Sequence, residues 1–455
     1  MPDKKRRPLK LNYFLIFFIG FGYLASTLAW TIYNAHVPLI LNQRFLLNNT
    51  MIGAIMTIDN LFGVIFQPLV GARSDQTRTR MGRRMPWIIV GLPLCAFFFS
   101  LIPLQAYLWS FMIIIIAFNL MMSLWRSPIV ALMPDITPSP LRSEANSLIN
   151  IMGGIGSLIA FYLGGYLSDL REDKFYAFFM AALVMILALI LLLYFVKEGD
   201  ALKYREEKSI PIRDSLANRW AQESRLLIQE NPALADQRQE GTDEEKKYNL
   251  ADFRHLPTAY KISLTALLIA IFAWFLGIGA IETFFTLYAR SSFDLTGGEA
   301  SMMMTAFSLS FLVSAWPAAR LARKIGRKRA ILIGLIGLIL NFLPVLGTPG
   351  QTTVQIFLLI GGIFWSFIIV NSLPMVLEFA DEDSIGAFTG YYYIFSFSAS
   401  IVSPILYGYL QDLIGSYTLL FPFSFVCFLT ALICMTLVKH GESSEMREKK
   451  VVDKT

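Results

Sequence analysis

Apolar stretches of about 20 residues or more, the length a helix needs to cross a bilayer, alternate twelve times with polar segments along the chain. They fall at 12-40, 50-72, 86-105, 107-132, 145-167, 175-196, 259-288, 299-322, 328-347, 352-378, 386-410 and 416-438. This pattern predicts an all-α, polytopic membrane protein with twelve transmembrane helices. The polar segments are not equivalent. The stretch from Gly71 to Arg84 carries five arginines and reads as a short loop, as does Arg320 to Arg329 with its cluster of Lys and Arg. The segments 41-49, 289-298 and 348-351 on the other side are nearly free of basic residues. Because Lys and Arg concentrate in cytoplasmic loops, this asymmetry predicts that both termini are cytoplasmic. The basic lead Met1 to Lys10 is followed by an apolar run of roughly 28 residues, too long for a signal-peptide core, and is expected to be a cytoplasmic start before the first span.

One polar segment is long. Lys197 to Thr258 is charged and Gln-rich, a composition that cannot bury a core. It divides the chain into a six-helix half at 1-196, a cytoplasmic loop at 197-258, a second half at 259-438 and a tail at 439-455. The second half echoes the first. The two basic loops hold the same place between the second and third spans of each half. Pro128 to Asp135 at the end of span 4 matches Pro374 to Asp381 at the end of span 10 in its seven-residue step. Trp30-Thr31-Ile32-Tyr33 matches Phe285-Thr286-Leu287-Tyr288, each following a Gly-x-Gly (Gly20 and Gly22; Gly277 and Gly279). Two repeats related by an axis along the membrane normal are an architecture of alternating-access carriers.

Composition narrows the function. Of 455 residues 55% are hydrophobic and only 16% charged, and the net charge of +6 is accounted for by basic interhelical loops and termini, which excludes a nucleic-acid binder. Cys95, Cys427 and Cys434 lie inside apolar runs without metal-ligand spacing and read as packing residues. The glycines Gly153, Gly154, Gly156, Gly361 and Gly362 lie within spans with no preceding strand, so they indicate close helix packing, not a nucleotide loop. There is no metal spacing and no nucleophile triad, so neither a cofactor nor an enzymatic activity is expected.

Gly71-x-x-Ser74-Asp75, continuing to Arg80-x-Gly82-Arg83-Arg84-x-Pro86, is preceded by Gln67-Pro68. With the twelve spans and long central loop, it makes the chain resemble a major facilitator superfamily transporter. Within that superfamily, this loop and Arg142-Ser143-x-Ala145-Asn146 are similar to the sucrose/proton symporters and the related glycoside-pentoside-hexuronide cation symporters. The resemblance implies the major facilitator fold of two pseudo-symmetric six-helix halves. It also implies a cytoplasmic gate, carried here by Gly71, Asp75, Arg80, Gly82, Arg83, Arg84, Asp135 and Arg142, that closes the halves together when the carrier opens outward. Two departures stand out. Asn119 and Val130 occupy the span 4 positions of an acid and an arginine in sucrose symporters. Gly63 and Gln67 stand where sodium-coupled relatives carry two aspartates on span 2.

Three charges lie where hydrocarbon penalises them. Asp59, twelve residues before Gly71, sits about 18 Å into span 2 at 1.5 Å per residue, where a carboxylate costs roughly 2.5 to 3.5 kcal/mol. It is the expected proton carrier. Arg126 lies at a similar depth on span 4 and is the expected partner, released to the solute when Asp59 is protonated; a fixed bridge, or an anionic solute on Arg126, are the other readings. Glu282, beyond the Gly-x-Gly break of span 7, is a second protonatable group or a hydroxyl acceptor near the outer end. Trp30, Tyr33, Asn34, Asn119, Trp125, Tyr288, Trp365 and Asn371 lie on spans 1, 4, 7 and 10, which line the central cavity in the resembled superfamily. Rings that stack on pyranose faces beside amides that answer hydroxyls suit a sugar, and interhelical packing is the alternative for each. His36 is expected at the membrane interface.

The sequence therefore predicts a proton-coupled symporter of a disaccharide or glycoside. It would be a monomer in the inner (plasma) membrane of a bacterium, with the sugar, the proton and the lipid bilayer as partners. A proton-coupled exporter of another polar solute is the alternative, and a non-transporting membrane solute sensor a remote one.

Overall fold

The computed structural model describes residues 12–137, 142–198, 258–379 and 385–439. All of the predicted tail but Lys439, almost all of the central loop, and Asp381 lie outside the described residues. Among the described residues the chain is helical throughout, with one isolated bridge between Thr79 and Gly82. Twelve helices are long and apolar enough to span a membrane. They are α1 (Tyr13–Gln43), α2 (Asn49–Gln76), α3 (Met85–Leu104), α4 (Leu108–Ile136), α5 (Glu144–Asp169), α6 (Phe175–Phe195), α7 (Tyr260–Phe293), α8 (Gly297–Ile325), α9 (Arg327–Val345), α10 (Gln351–Leu377), α11 (Ala387–Ile414) and α12 (Tyr417–Leu437).

Every predicted span is present, and several run further than the apolar pattern. α2 continues through Arg73, Ser74 and Asp75 to Gln76, and α8 continues to Ile325, so that only Gly326, at φ 98°, separates it from α9. Of the two stretches read as basic loops, the second is thus largely helix, and the first is helix as far as Gln76 and loop from 77 to 84. Hydropathy ends a span where hydrocarbon ends, whereas the backbone hydrogen bonds that define a helix continue into polar surroundings.

Packing repeats with a shift of six. In the first half α1 lies against α5 and α6, α4 against α2 and α3, and α3 against α6. In the second, α7 lies against α11 and α12, α10 against α8 and α9, and α9 against α12. Small residues permit the close approaches. A Cβ on Gly156 would stand 2.4 Å from the Leu24 carbonyl oxygen of α1, and one on Gly362 would stand 2.3 Å from the Phe307 carbonyl oxygen of α8.

The halves meet chiefly along two seams, α2 with α11 and α5 with α8, and α1 also touches α7. The α2–α11 seam can be followed rung by rung. Thr50 meets Asp412, a Cβ on Gly408 would lie 2.2 Å from the Asn49 carbonyl oxygen, one on Gly53 would lie 2.1 Å from the Pro404 carbonyl oxygen, and Thr57 Oγ1 donates to the Ile401 carbonyl at 3.3 Å. All these contacts lie towards the end of the bundle opposite the basic 2–3 segment.

Candidate functional site

Just past the last rung of that seam stands Asp59. The helical ladder of α2 is interrupted at Thr57, whose hydroxyl turns back to the Gly53 carbonyl at 2.8 Å while its dihedrals stay helical. Asp59 accepts hydrogen bonds from the Asn60 backbone N–H (2.5 Å) and side-chain amide (2.8 Å). It is half-buried, as is Arg126 on α4, while Glu282 on α7 is exposed although it sits deep in the longest span. Asp59 lies within electrostatic reach of Arg126 and Glu282, and Arg126 within reach of Tyr23 and Tyr393. Charges with accessible surface that act on one another across the two halves face a shared space between them, not lipid. With the α2–α11 seam shut above them, that space has its outlet towards the basic end.

Among the described residues no ion pair within 4 Å joins Asp59 to Arg126. The guanidinium lies over the Trp30 ring instead, with Cζ 5.6 Å from the centroid, a cation–π arrangement that holds the charge without consuming its donors.

The predicted aromatic and amide set divides. Trp30 is at the charged cluster, Asn34 is half-buried, and Tyr33, fully buried and within reach of Asp59, stacks on Phe118 with centroids 5.6 Å apart. Trp125 is fully buried in the first half, its Cβ 3.0 Å from where a Cβ on Gly91 would lie. Tyr288 packs edge-on to Phe421 at 4.8 Å and Trp365 edge-on to Phe275 and Phe428, both within the second half. Asn119 and Asn371 are buried and spend their amide N–H on their own helices, at Ile115 (3.0 Å) and Phe367 (2.8 Å). Tyr23, Tyr393 and Asn60 join the cluster without having been singled out from sequence. His36 is a correction: it is completely enclosed, near Phe178, with neither ring nitrogen partnered, and not at an interface.

Most of the residues expected at the gate form a compact ionic assembly at the basic end. Arg84, only 4% exposed, donates through Nε to Asp135 at 2.8 Å and also reaches Asp75, Ser74 and the Gly71 carbonyl. Arg83 doubles the grip on Asp135, with Nη2 at 2.6 Å. Arg80 is exposed, and the Arg142 side chain lies outside the described residues. Glu198 was not singled out from sequence; its carboxylate accepts from the backbone N–H of Arg83, Arg84 and Met85 at 2.9 to 3.1 Å, capping the start of α3. Gly82 makes room for it: φ is +107°, and a Cβ would lie 2.2 Å from Glu198 Oε2. The second half has a counterpart, Arg327 with Glu378 at 2.5 Å.

At the opposite end Lys174 is enclosed at 6% exposure between α5 and α6. Burial pushes its ammonium below the ordinary 10.5; Arg290 and Arg44 push the same way, and Asp169 opposes them.

The sequence model of the family described as Major Facilitator Superfamily matches residues 19–404. Among curated proteins, an uncharacterized symporter of Synechocystis is 31% identical over 177 residues, 35% of this chain and 31% of that protein. The isoprimeverose transporter of Lactiplantibacillus pentosus is 23% identical over 207 residues (42% and 43%), and the general alpha-glucoside permease of Schizosaccharomyces pombe 28% over 177 (33% and 31%). The matched stretches thus span less than half of each relative. Among solved structures, the peptide transporter POT in complex with sulfate superposes with a TM-score of 0.67 at 12% identity, covering 96% of this chain and 98% of that one. The xylose transporter XylE from E. coli gives 0.62 at 13%, covering 94% and 99%. At these identities the structures speak to the fold.

Proposed function

This chain belongs to the Major Facilitator Superfamily, and we propose that it is a proton-coupled carrier that moves a sugar or glycoside by alternating access. That it is a multi-pass membrane transporter and not an enzyme follows from the family; the coupling ion, the solute and the direction are our reading. One observation carries it: an accessible carboxylate, Asp59, shares a space between the halves with Arg126 and Glu282. An acid at this depth without a permanent cation partner can gain and lose a proton as its access alternates, and the nearby guanidinium, held by Trp30, keeps its donors for the solute. The relatives named for isoprimeverose and alpha-glucosides support a sugar as that solute.

In this reading the basic end faces the cytoplasm, residues 1-196 and 259-438 are the two rocking halves, the central loop and tail are cytoplasmic, and the state seen is inward-facing. The working unit is one chain in the plasma membrane. Of the predicted sugar platform, Trp30, Tyr33 and Asn34 stay nearest the charged cluster.

The test is uptake of labelled disaccharides into proteoliposomes under an inward proton gradient, with and without sodium, for wild type and Asp59→Asn. Concentrative uptake that follows the proton gradient and falls at least tenfold in the variant, while exchange persists, is expected. Concentrative uptake unchanged in the variant would remove Asp59 from the coupling, with Glu282 next in line.

A further inference from the structure

At the end opposite the basic segments, two carboxylates cross from one half to the other and land on helix starts. Asp412, at the end of α11, accepts from the backbone N–H of Asn49 (2.9 Å) and Thr50 (2.8 Å), from the Asn49 amide (3.0 Å) and from the Thr50 hydroxyl (2.6 Å), at the first turn of α2. Asp169, at the end of α5, accepts from the Gly298 backbone N–H (2.9 Å) and the Thr296 hydroxyl (2.5 Å), at the first turn of α8. The first N–H groups of a helix have no partner within it and carry the positive end of its dipole, so an incoming carboxylate satisfies both.

These are one feature seen twice. α2 and α8 are the second helices of their halves, and α5 and α11 the fifth. Each half therefore contributes one carboxylate and one helix start. Each clasp is also backed by glycine: Gly408 lies against the Asn49 backbone, and a Cβ on Gly298 would lie 2.1 Å from the Gly165 carbonyl oxygen. The two are unequal in strength. The Asp412 clasp has four donors, with Asn49 further held by Gln411 and Tyr417. The Asp169 clasp has two and carries Lys174 beside it, with Nζ 2.8 Å from where a Cβ on Gly297 would lie, a cation at the wrong end of a dipole.

We propose that the Asp169 and Asp412 clasps are the paired lock of this end, that they hold the carrier in the state seen here, and that they must open together when the other access state forms. A rotation of one half against the other about the seams pulls both carboxylates off their helix starts at once. The lock rests on the alternating-access reading but not on the solute or the coupling ion.

The experiment reads the two states directly. Nitroxide pairs at Leu46 and Leu413 on the closed end, and at Met81 and Lys324 on the basic end, all exposed sites, are placed in a background carrying Cys95→Ala, Cys427→Ala and Cys434→Ala. Distances are measured by pulsed electron resonance in nanodiscs without substrate, for the background and for Asp169→Asn/Asp412→Asn. The long-distance fraction at 46–413 should grow, and that at 81–324 shrink, by roughly two- to fivefold per clasp, with Asp412→Asn the larger single effect. An unchanged pair of distributions in a monodisperse double variant overturns the lock. Should the double variant not give monodisperse protein, Thr50→Val, which removes one donor and no charge, takes its place: the same shift at smaller amplitude is expected, and unchanged distributions overturn the lock. Failure of sugar uptake would leave these distances meaningful, because they report only which end is shut.

Discussion

The two ends of the bundle use one chemical device with opposite consequences. At the basic end Glu198, just past the last helix of the first half, caps the start of α3, and Arg83 and Arg84 grip Asp135; none of these named partners belongs to the second half. At the other end Asp169 and Asp412 cap α8 and α2 across the halves. Glu198 is 1% exposed, whereas Asp169 and Asp412 are open to solvent. A buried carboxylate that loses its donors is left uncompensated, while an exposed one exchanges them for water at small net cost. In the proposed cycle, bonds within a half persist and bonds between halves are exchanged.

Substitutions can break this contrast, and the largest effect is expected at the basic end. Asp135→Asn leaves the enclosed Arg84 without its main counter-charge, a change that costs about 3 kcal/mol when a buried pair is broken. Thermal unfolding in detergent should show a clear loss of stability while the 46–413 distance distribution stays put; a shifted distribution would mean that this assembly also joins the halves. Next in size is Gly408→Leu, whose side chain has to enter the space held by the Asn49 backbone. Overpacking of about 2 kcal/mol should be relieved by parting the seam, so a cysteine at Thr50 should react with a membrane-impermeant maleimide several-fold faster than in its parent, and an unchanged rate would sink the idea.

The smallest effect concerns Lys174. Its folded-state pKa is lowered from 10.5, so the unfolded chain binds the proton more tightly and stability rises with pH between the lowered value and about 10.5. Lys174→Gln should unfold at a slightly higher temperature at neutral pH and lose this alkaline gain. A variant that keeps the gain would place its origin elsewhere.

The twelve spans were legible because uninterrupted apolar length is a strong signal, and the doubling into halves because Pro128 and Pro374, or the Gly-x-Gly pairs, recur at matching places. Asp59, Arg126 and Glu282 were legible for the converse reason, since a charge at that depth has few explanations. The facing of the aromatic residues was not. Trp30 and Trp125 both sit on helices that are apolar all round, so nothing in the pattern says that one meets Arg126 and the other the core. The clasps were hidden differently. Asp169 and Asp412 stand at span ends, where acids are ordinary, and their partners are 129 and 363 residues away. Glu198 likewise reads as one more charge after a span until the positive φ of Gly82 shows that the chain bends to receive it.

The seam along α2 and α11 thins out beyond Thr57, its last hydrogen-bonded rung, two residues before Asp59. The halves therefore diverge as a wedge, and the carboxylate stands close to its apex. From there α2 runs on through Ile58–Gln76, 19 residues or roughly 28 Å, so a small turn about the apex sweeps the far end of the helix widely while displacing Asp59 very little. In the proposed alternating-access cycle the carboxylate is near a fixed point of the motion: the medium it faces is exchanged around it, and its neighbours on the same helix stay in place.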